Sequence, residues 1–193
     1  MRVAIIGLGG VGSWFVEFLS KAFWAQQIPE DVIFEVYDHD TVSVANIQFQ
    51  NYKEEDVAKN KAQAIADRYD VEIKEAEETF LTAYLEYYDF FIVAVDNFKT
   101  RQEVFEHCFK TGKKFLDMRA EGRNVFVLSK RDKGSDLSTL SKTDTTSGSC
   151  QRPIDVEKNR LQYSNIVAAS IGLNMFVNIL RGDKDGKLVI LQV

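Results

Sequence analysis

"AIIGLGGVGSW", residues 4–14, decides how the rest of the chain is read. A short apolar run of strand type ends in glycines at positions 7, 9, 10 and 12. A helical pattern then runs from Val11 to Phe23, with Val11, Phe15, Phe18, Leu19 and Ala22 on one stripe. Glycine lets the backbone turn sharply and approach a ligand closely, while the unpaired N–H groups and positive end of the following helix attract an anion. Gly7-x-Gly9-x-x-Gly12 therefore matches the dinucleotide fingerprint, which points to nucleotide phosphates without naming the nucleotide.

Outward from this loop, strand and helix signals alternate. "DVIFEVYDHD" (31–40) reads as a second strand whose continuous apolar character suits cover on both faces. Ala58–Tyr69 reads as a helix, "VEIKEA" as a third strand and "YYDFFIVAV" as a fourth. A helix over Asn97–Phe109, capped by Asp96 or Asn97, and strands "KKFLDM" and "NVFVLSK" come next. The alternation predicts an α/β fold, a doubly wound, mainly parallel Rossmann-like sheet with helices on both faces. Right-handed crossovers would put every strand's carboxyl end on the glycine-loop edge. Residues 130–149, rich in Ser, Thr, Asp, Lys and Gly, read as a mobile crossover-type loop. Arg160–Leu180 reads as a long helix, and "KLVILQV" as a terminal strand. One nucleotide-binding domain over 1–193 is expected, with the C-terminal helix and strand at about 159–193.

With 45% hydrophobic and 27% charged residues the chain has a globular composition, and a net charge of -5 gives no general attraction to nucleic acid or to an anionic membrane. The opening strand lacks the marks of a secretory signal, and the apolar stretch Ile166–Leu180 is interrupted by Ser170, Asn174 and Asn178. A cytoplasmic protein is expected. Cys108 and Cys150 supply no CxxC pair, which excludes a tetrathiolate zinc site.

Asp38 lies 26 residues beyond Gly12, against the usual ~20, and either accepts ribose hydroxyls or merely closes its strand. Lys61 is either a phosphate cation or a solvated charge beside Lys59, and Asp96 either a ligand or a helix cap. The stretch around and after Asp38, "YDHDTVSVANIQFQNYKEEDVAKNKAQAIADR", brings a second aspartate, an asparagine and a glutamine four apart, and then a lysine; "AVDNFKTR" comes later. Together with Gly-x-Gly-Gly-x-Gly-Ser this resembles the ThiF/MoeB/HesA family and the adenylation domain of ubiquitin-activating enzymes, in a zinc-free form. The resemblance runs from Arg2 to about Val127.

The resemblance implies an ATP- and Mg²⁺-dependent adenylyltransferase. It would activate the C-terminal carboxylate of a small ubiquitin-like or sulfur-carrier protein as an acyl-adenylate. By position, Gly7, Gly9, Gly10 and Gly12 would form the cradle, Asp38 the ribose acceptor, and Asp40, Asn46, Gln50 and Asn97 further nucleotide contacts. Lys61 would hold the phosphates and Asp96 would bind Mg²⁺. Phe49 stands where the family has an arginine, and Arg101 and Arg119 are the candidates to replace it. Cys150, at the end of the Ser/Thr-rich segment, is either an acyl-accepting thiolate favoured by Arg152 or an ordinary thiol anchoring the loop. The aromatic residues Trp14, Phe15, Phe18, Phe23 and Trp24 are partly core but exceed what one helix face can bury, and the resemblance implies a homodimer interface. Two rival readings use the same loop: an NAD-binding oxidoreductase and a non-catalytic scaffold.

Overall fold

The structure, a computed structural model, describes residues 1–69, 72–73, 84–130, 157, 162–183 and 188–193. The strands are β1 (Arg2–Ile6), β2 (Ile33–Tyr37), β3 (Glu72–Ile73), β4 (Phe90–Val93), β5 (Lys114–Glu121), β6 (Asn124–Lys130) and β7 (Leu188–Gln192). The helices are α1 (Gly12–Trp24), α2 (Lys61–Ala66), α3 (Phe98–Thr111) and α4 (Ser164–Arg181), with 3-10 turns at Val44–Gln48, Glu54–Asp56 and Leu85–Tyr87. The sheet runs β3-β2-β1-β4-β5-β6-β7. Strand order reverses at β1, between β2 and β4, and the crevice outside their carboxyl ends is where such sheets bind ligands.

The Rossmann-like, mainly parallel sheet is present from β3 to β5. The expected common direction of all strands fails at β6, which is antiparallel to both its neighbours. Gly122 and Arg123 form a two-residue connection between the paired Glu121 and Asn124, with Gly122 at φ 55, and this tight turn folds β6 back on β5. β6 thus brings its amino end to the glycine-loop edge.

Alternation along the strands sorts side chains onto two faces. Val3 and Ile5 of β1 join the core under α1 and α4, while Ala4 and Ile6 join the one under α3. On the first face Phe176 of α4 lies edge-on to Phe15, Phe34 and Phe90, with ring centroids 6.4, 6.0 and 5.2 Å away. On the second, Phe105 stacks on Phe115 at 4.4 Å. Such pairs add ~1 kcal/mol each beyond area burial, so α4 has a defined seat beside α1. β2 is less apolar inside than its sequence implies: Glu35 is fully buried, where Arg2, Tyr37 and Tyr88 bond its carboxylate.

Element bounds shift for local reasons. α2 begins at Lys61 and not at Ala58, because Ala58 sits at φ 71 and Asn60 caps the helix by accepting the N–H groups of Ala62 and Gln63 at 2.8 and 3.2 Å. Asn97, not Asp96, caps α3, accepting from Lys99 and Thr100 at 2.9 and 3.4 Å. Of the expected crossover loop only Lys130 is described, as the end of β6; the rest of it, with Cys150 and Arg160, lies outside the described residues. Of the aromatic group on α1, Phe15 is core, Trp14 and Phe18 pack partly against it, and Trp24 is 83% exposed. Among the described residues no helix is long and apolar enough to cross a membrane.

Candidate functional site

The site is built on the β1–α1 connection. Gly7 continues the β1–β2 ladder by donating to the Tyr37 carbonyl at 2.9 Å, then turns at φ +88, where a Cβ would lie 2.8 Å from the Ala94 carbonyl oxygen. At Gly12 a Cβ would lie 1.9 Å from the Gly7 oxygen. Gly12 is therefore required by the turn itself, and Gly7 by its positive φ and by the close approach of Ala94 from the end of β4. Gly9 differs: a Cβ there meets nothing within 4 Å, so its absence leaves open space at the crevice.

The hydrogen bonding of the loop is one-sided. The Leu8 carbonyl accepts from the Tyr52 hydroxyl at 2.7 Å, the Gly9 carbonyl from Ser13 Oγ at 2.7 Å, and the Gly10 carbonyl from Asn165 Nδ2 at 3.1 Å. By contrast, the N–H groups of Gly9, Gly10, Val11 and Gly12 make no hydrogen bond among the described residues. α1 also has no side-chain N-cap and no acidic residue in its first turn. Unsatisfied N–H groups at the positive end of a helix suit an anion.

Asp38, just beyond β2, accepts the Leu8 N–H on Oδ2 at 2.6 Å and the Asp40 N–H on Oδ1 at 2.9 Å. Burial pushes its carboxyl above the usual range, against the opposing pull of Lys61 and of these two donors. Each oxygen has a second lone pair beyond the one that these donors use. The Lys61 ammonium, on a residue only 6% exposed, donates to Asp40 Oδ2 at 2.7 Å, and this bond holds the Asp40 carboxyl below its ordinary value. Asn60 secures the junction by donating to the carbonyls of Asp38 and Asp40 at 3.0 and 3.3 Å. Asp38, His39 and Asp40 bring possible ligand atoms within 4.8 Å of one another, but the backbone donors and Lys61 already use three of the four carboxylate oxygens.

The remaining residues divide clearly. Asn46 accepts the Ser43 N–H at 2.8 Å and thereby shapes its own turn. Gln50 is 9% exposed and its Oε1 has no partner among the described residues. Asp96 is exposed at the carboxyl end of β4, with no hydrogen bond or ion pair among the described residues. The Phe49 carbonyl accepts from Trp14 Nε1 at 3.2 Å and from Asn165 Nδ2 at 2.7 Å. Arg101 and Arg119 share the buried carboxylate of Asp117 through Nε atoms at 3.0 and 2.6 Å, and Arg101 also donates to the Val95 carbonyl. Cys108 is a core thiol, fully buried. Sequence reasoning missed Tyr52, Ser13 and Asn165; only Asn60, a cap residue before an apolar helical run, left a local signal.

Solved structures share the fold. The selenomethionine crystal structure of PaaA matches with a TM-score of 0.71 and 19% identity, over 100% of this chain and 69% of PaaA. E. coli MccB crystallised with ATP matches at 0.73 and 16% identity, over 100% of this chain and 60% of MccB. The microcin C7 biosynthetic enzyme MccB in complex with N-formylated MccA gives 0.73 at 15% identity, over 100% of this chain and 61% of that one. The chain thus spans about three fifths of MccB, and at these identities the likeness is one of fold. No curated protein matches. The family profile described as "ThiF family" matches residues 1–185, and with that extent of agreement the chain belongs to the ThiF family and has its adenylation fold.

Proposed function

We propose that this chain is an ATP-dependent adenylyltransferase that activates the C-terminal carboxylate of a small ubiquitin-like or sulfur-carrier protein. In this reaction a carboxylate oxygen bonds to the α-phosphorus of ATP, the bond from that phosphorus to the bridging oxygen breaks, and pyrophosphate leaves. Both reactants are anions, so the protein must bring them together and neutralise phosphate charge. The observation that carries this reading is the cradle: N–H groups from Gly9 to Gly12 without partners among the described residues, beside the Leu8, Gly9 and Gly10 carbonyls, which are each tied back by a side chain. That one MccB structure contains ATP, and another is a complex with N-formylated MccA, supports a site on this fold for a nucleotide and a second bound molecule.

The roles derive from position. The loop N–H groups hold phosphate oxygens, and Asp38 accepts ribose hydroxyls. Lys61 exchanges Asp40 for a phosphate, a short move for an ammonium on a flexible stem. Asp96, an exposed carboxylate with no competing partner described, fits a hard divalent cation. Mg²⁺ bound there would neutralise phosphate charge. Attack of the Cys150 thiolate on the acyl-adenylate carbonyl, which forms a thioester as the acyl–oxygen bond breaks and AMP leaves, is a further step of the same proposal, tested by mass spectrometry of the protein after turnover.

The test is ATP–pyrophosphate exchange with peptides ending in a free Gly-Gly carboxylate. Exchange is expected with the free carboxylate, and none with the C-terminally amidated peptide. Equal exchange with both peptides, or NAD binding without ATP binding, would overturn the reading.

A further inference from the structure

A trans peptide unit is planar and its N–H points opposite to its C=O, so a group that holds one residue's carbonyl also aims the next residue's N–H. No peptide bond among the described residues is cis. Tyr52 on the Leu8 carbonyl therefore aims the Gly9 N–H, Ser13 on the Gly9 carbonyl aims the Gly10 N–H, and Asn165 on the Gly10 carbonyl aims the Val11 N–H. Ser13 is local, but the other two donors are remote: Tyr52 is 44 residues from Leu8 and Asn165 is 155 from Gly10.

Both remote donors are built into the core, Tyr52 at 4% and Asn165 at 0% exposure. Burial, with the charge of Asp38 nearby, keeps the Tyr52 phenol protonated and able to donate. Asn165 Nδ2 donates to Phe49 as well as to Gly10, so α4 ties the glycine loop to the turn bearing Asn46 and Gln50. Its Oδ1 has no partner among the described residues, so the hydrogen bonds found for this amide are the two that Nδ2 donates. A glycine-rich loop is free to flip its peptides, and a flipped Gly10–Val11 unit would turn a carbonyl dipole toward bound phosphate.

Resting on the nucleotide reading above, we propose that Tyr52 and Asn165 are positioning residues. By holding the Leu8 and Gly10 carbonyls back, they aim the Gly9 and Val11 N–H groups at the nucleotide's phosphates. Neither side chain is expected to touch the nucleotide's base or sugar.

The test is calorimetric titration of the full chain, and of Tyr52→Phe and Asn165→Leu, with ATP, pyrophosphate and adenosine. Each variant leaves a loop carbonyl without its donor, and ATP and pyrophosphate are expected to bind roughly ten-fold more weakly. Adenosine, which has no phosphate, should bind as it does to the wild type. Equal losses for ATP and adenosine would show a general structural role, and unchanged ATP binding would show none; either overturns this inference alone. Should Asn165→Leu fail to fold, Tyr52→Phe, which removes a single oxygen, decides. A wild type that binds neither ATP nor pyrophosphate overturns this inference and the nucleotide reading together.

Discussion

Alanine at Gly9 separates the needs of the fold from those of the ligand. Gly9 has no positive φ, and an added Cβ meets nothing within 4 Å. Alanine restricts the unfolded chain at such a compatible position, a gain of about 0.4–1 kcal/mol. For a chain of this length that raises Tm by about 1–4 °C. The methyl group would stand in the opening of the cradle and hold phosphate away from the loop N–H groups. Hydrogen bonds to charged groups contribute about 1.5–3 kcal/mol each, so loss of one weakens ATP binding roughly 10- to 100-fold. Gly7→Ala and Gly12→Ala are the controls, because their Cβ atoms would lie 2.8 and 1.9 Å from carbonyl oxygens, the former at φ +88. Each should cost about 1–3 kcal/mol or more and lower Tm. Thermal melts and ATP calorimetry on the three variants check this. A Gly9→Ala protein that melts no lower and binds ATP as tightly as the wild type would refute the argument that Gly9 opens onto the phosphate site.

Asp40→Asn should weaken the acid limb of the stability profile. The Lys61 bond depresses the Asp40 carboxyl in the fold, so its contribution is present above the ordinary value of 3.8 and is lost as pH falls through the folded value. The stability gap between wild type and variant, followed by urea melts, should therefore shrink below that value. Asp96→Ala should abolish Mg²⁺-dependent exchange with Tm unchanged, whereas Asn97→Ala, which removes the α3 cap, should cost about 1 kcal/mol. Phe176→Ala, which empties the seat between Phe15, Phe34 and Phe90, should cost about 3–5 kcal/mol in chemical denaturation.

The strand–glycine–helix opening was legible because much of its signal is local: Gly12 is dictated by a clash with Gly7 within the turn, and Asn97 caps the helix it precedes, whereas the Asn60 cap escapes the sequence reading, which starts that helix at Ala58. The direction of β6 was not read, because alternation is the same for either direction; the turn at Gly122 and Arg123 was the available cue. Glu35 shows a different limit, since its partners Arg2 and Tyr88 are 33 and 53 residues away and its strand pattern alone reads as apolar. Tyr52 and Asn165 were invisible for a third reason. They bind backbone carbonyls, which leave no complementary residue type in the sequence to pair with. Lys61 was singled out through the resemblance alone, since its local sequence also fits a solvated charge beside Lys59, and its engagement with Asp40 depends on the turn that Asn60 holds.

In the proposed site the N–H groups from Gly9 to Gly12 receive the phosphates of ATP. Backbone amide resonances of the isotope-labelled protein, followed during titration with ATP and Mg²⁺, address it residue by residue. The amide protons of Gly9, Gly10, Val11 and Gly12 are expected to move downfield together, as hydrogen bonds form to phosphate oxygens. Saturation with ATP that leaves those four resonances in place would contradict it.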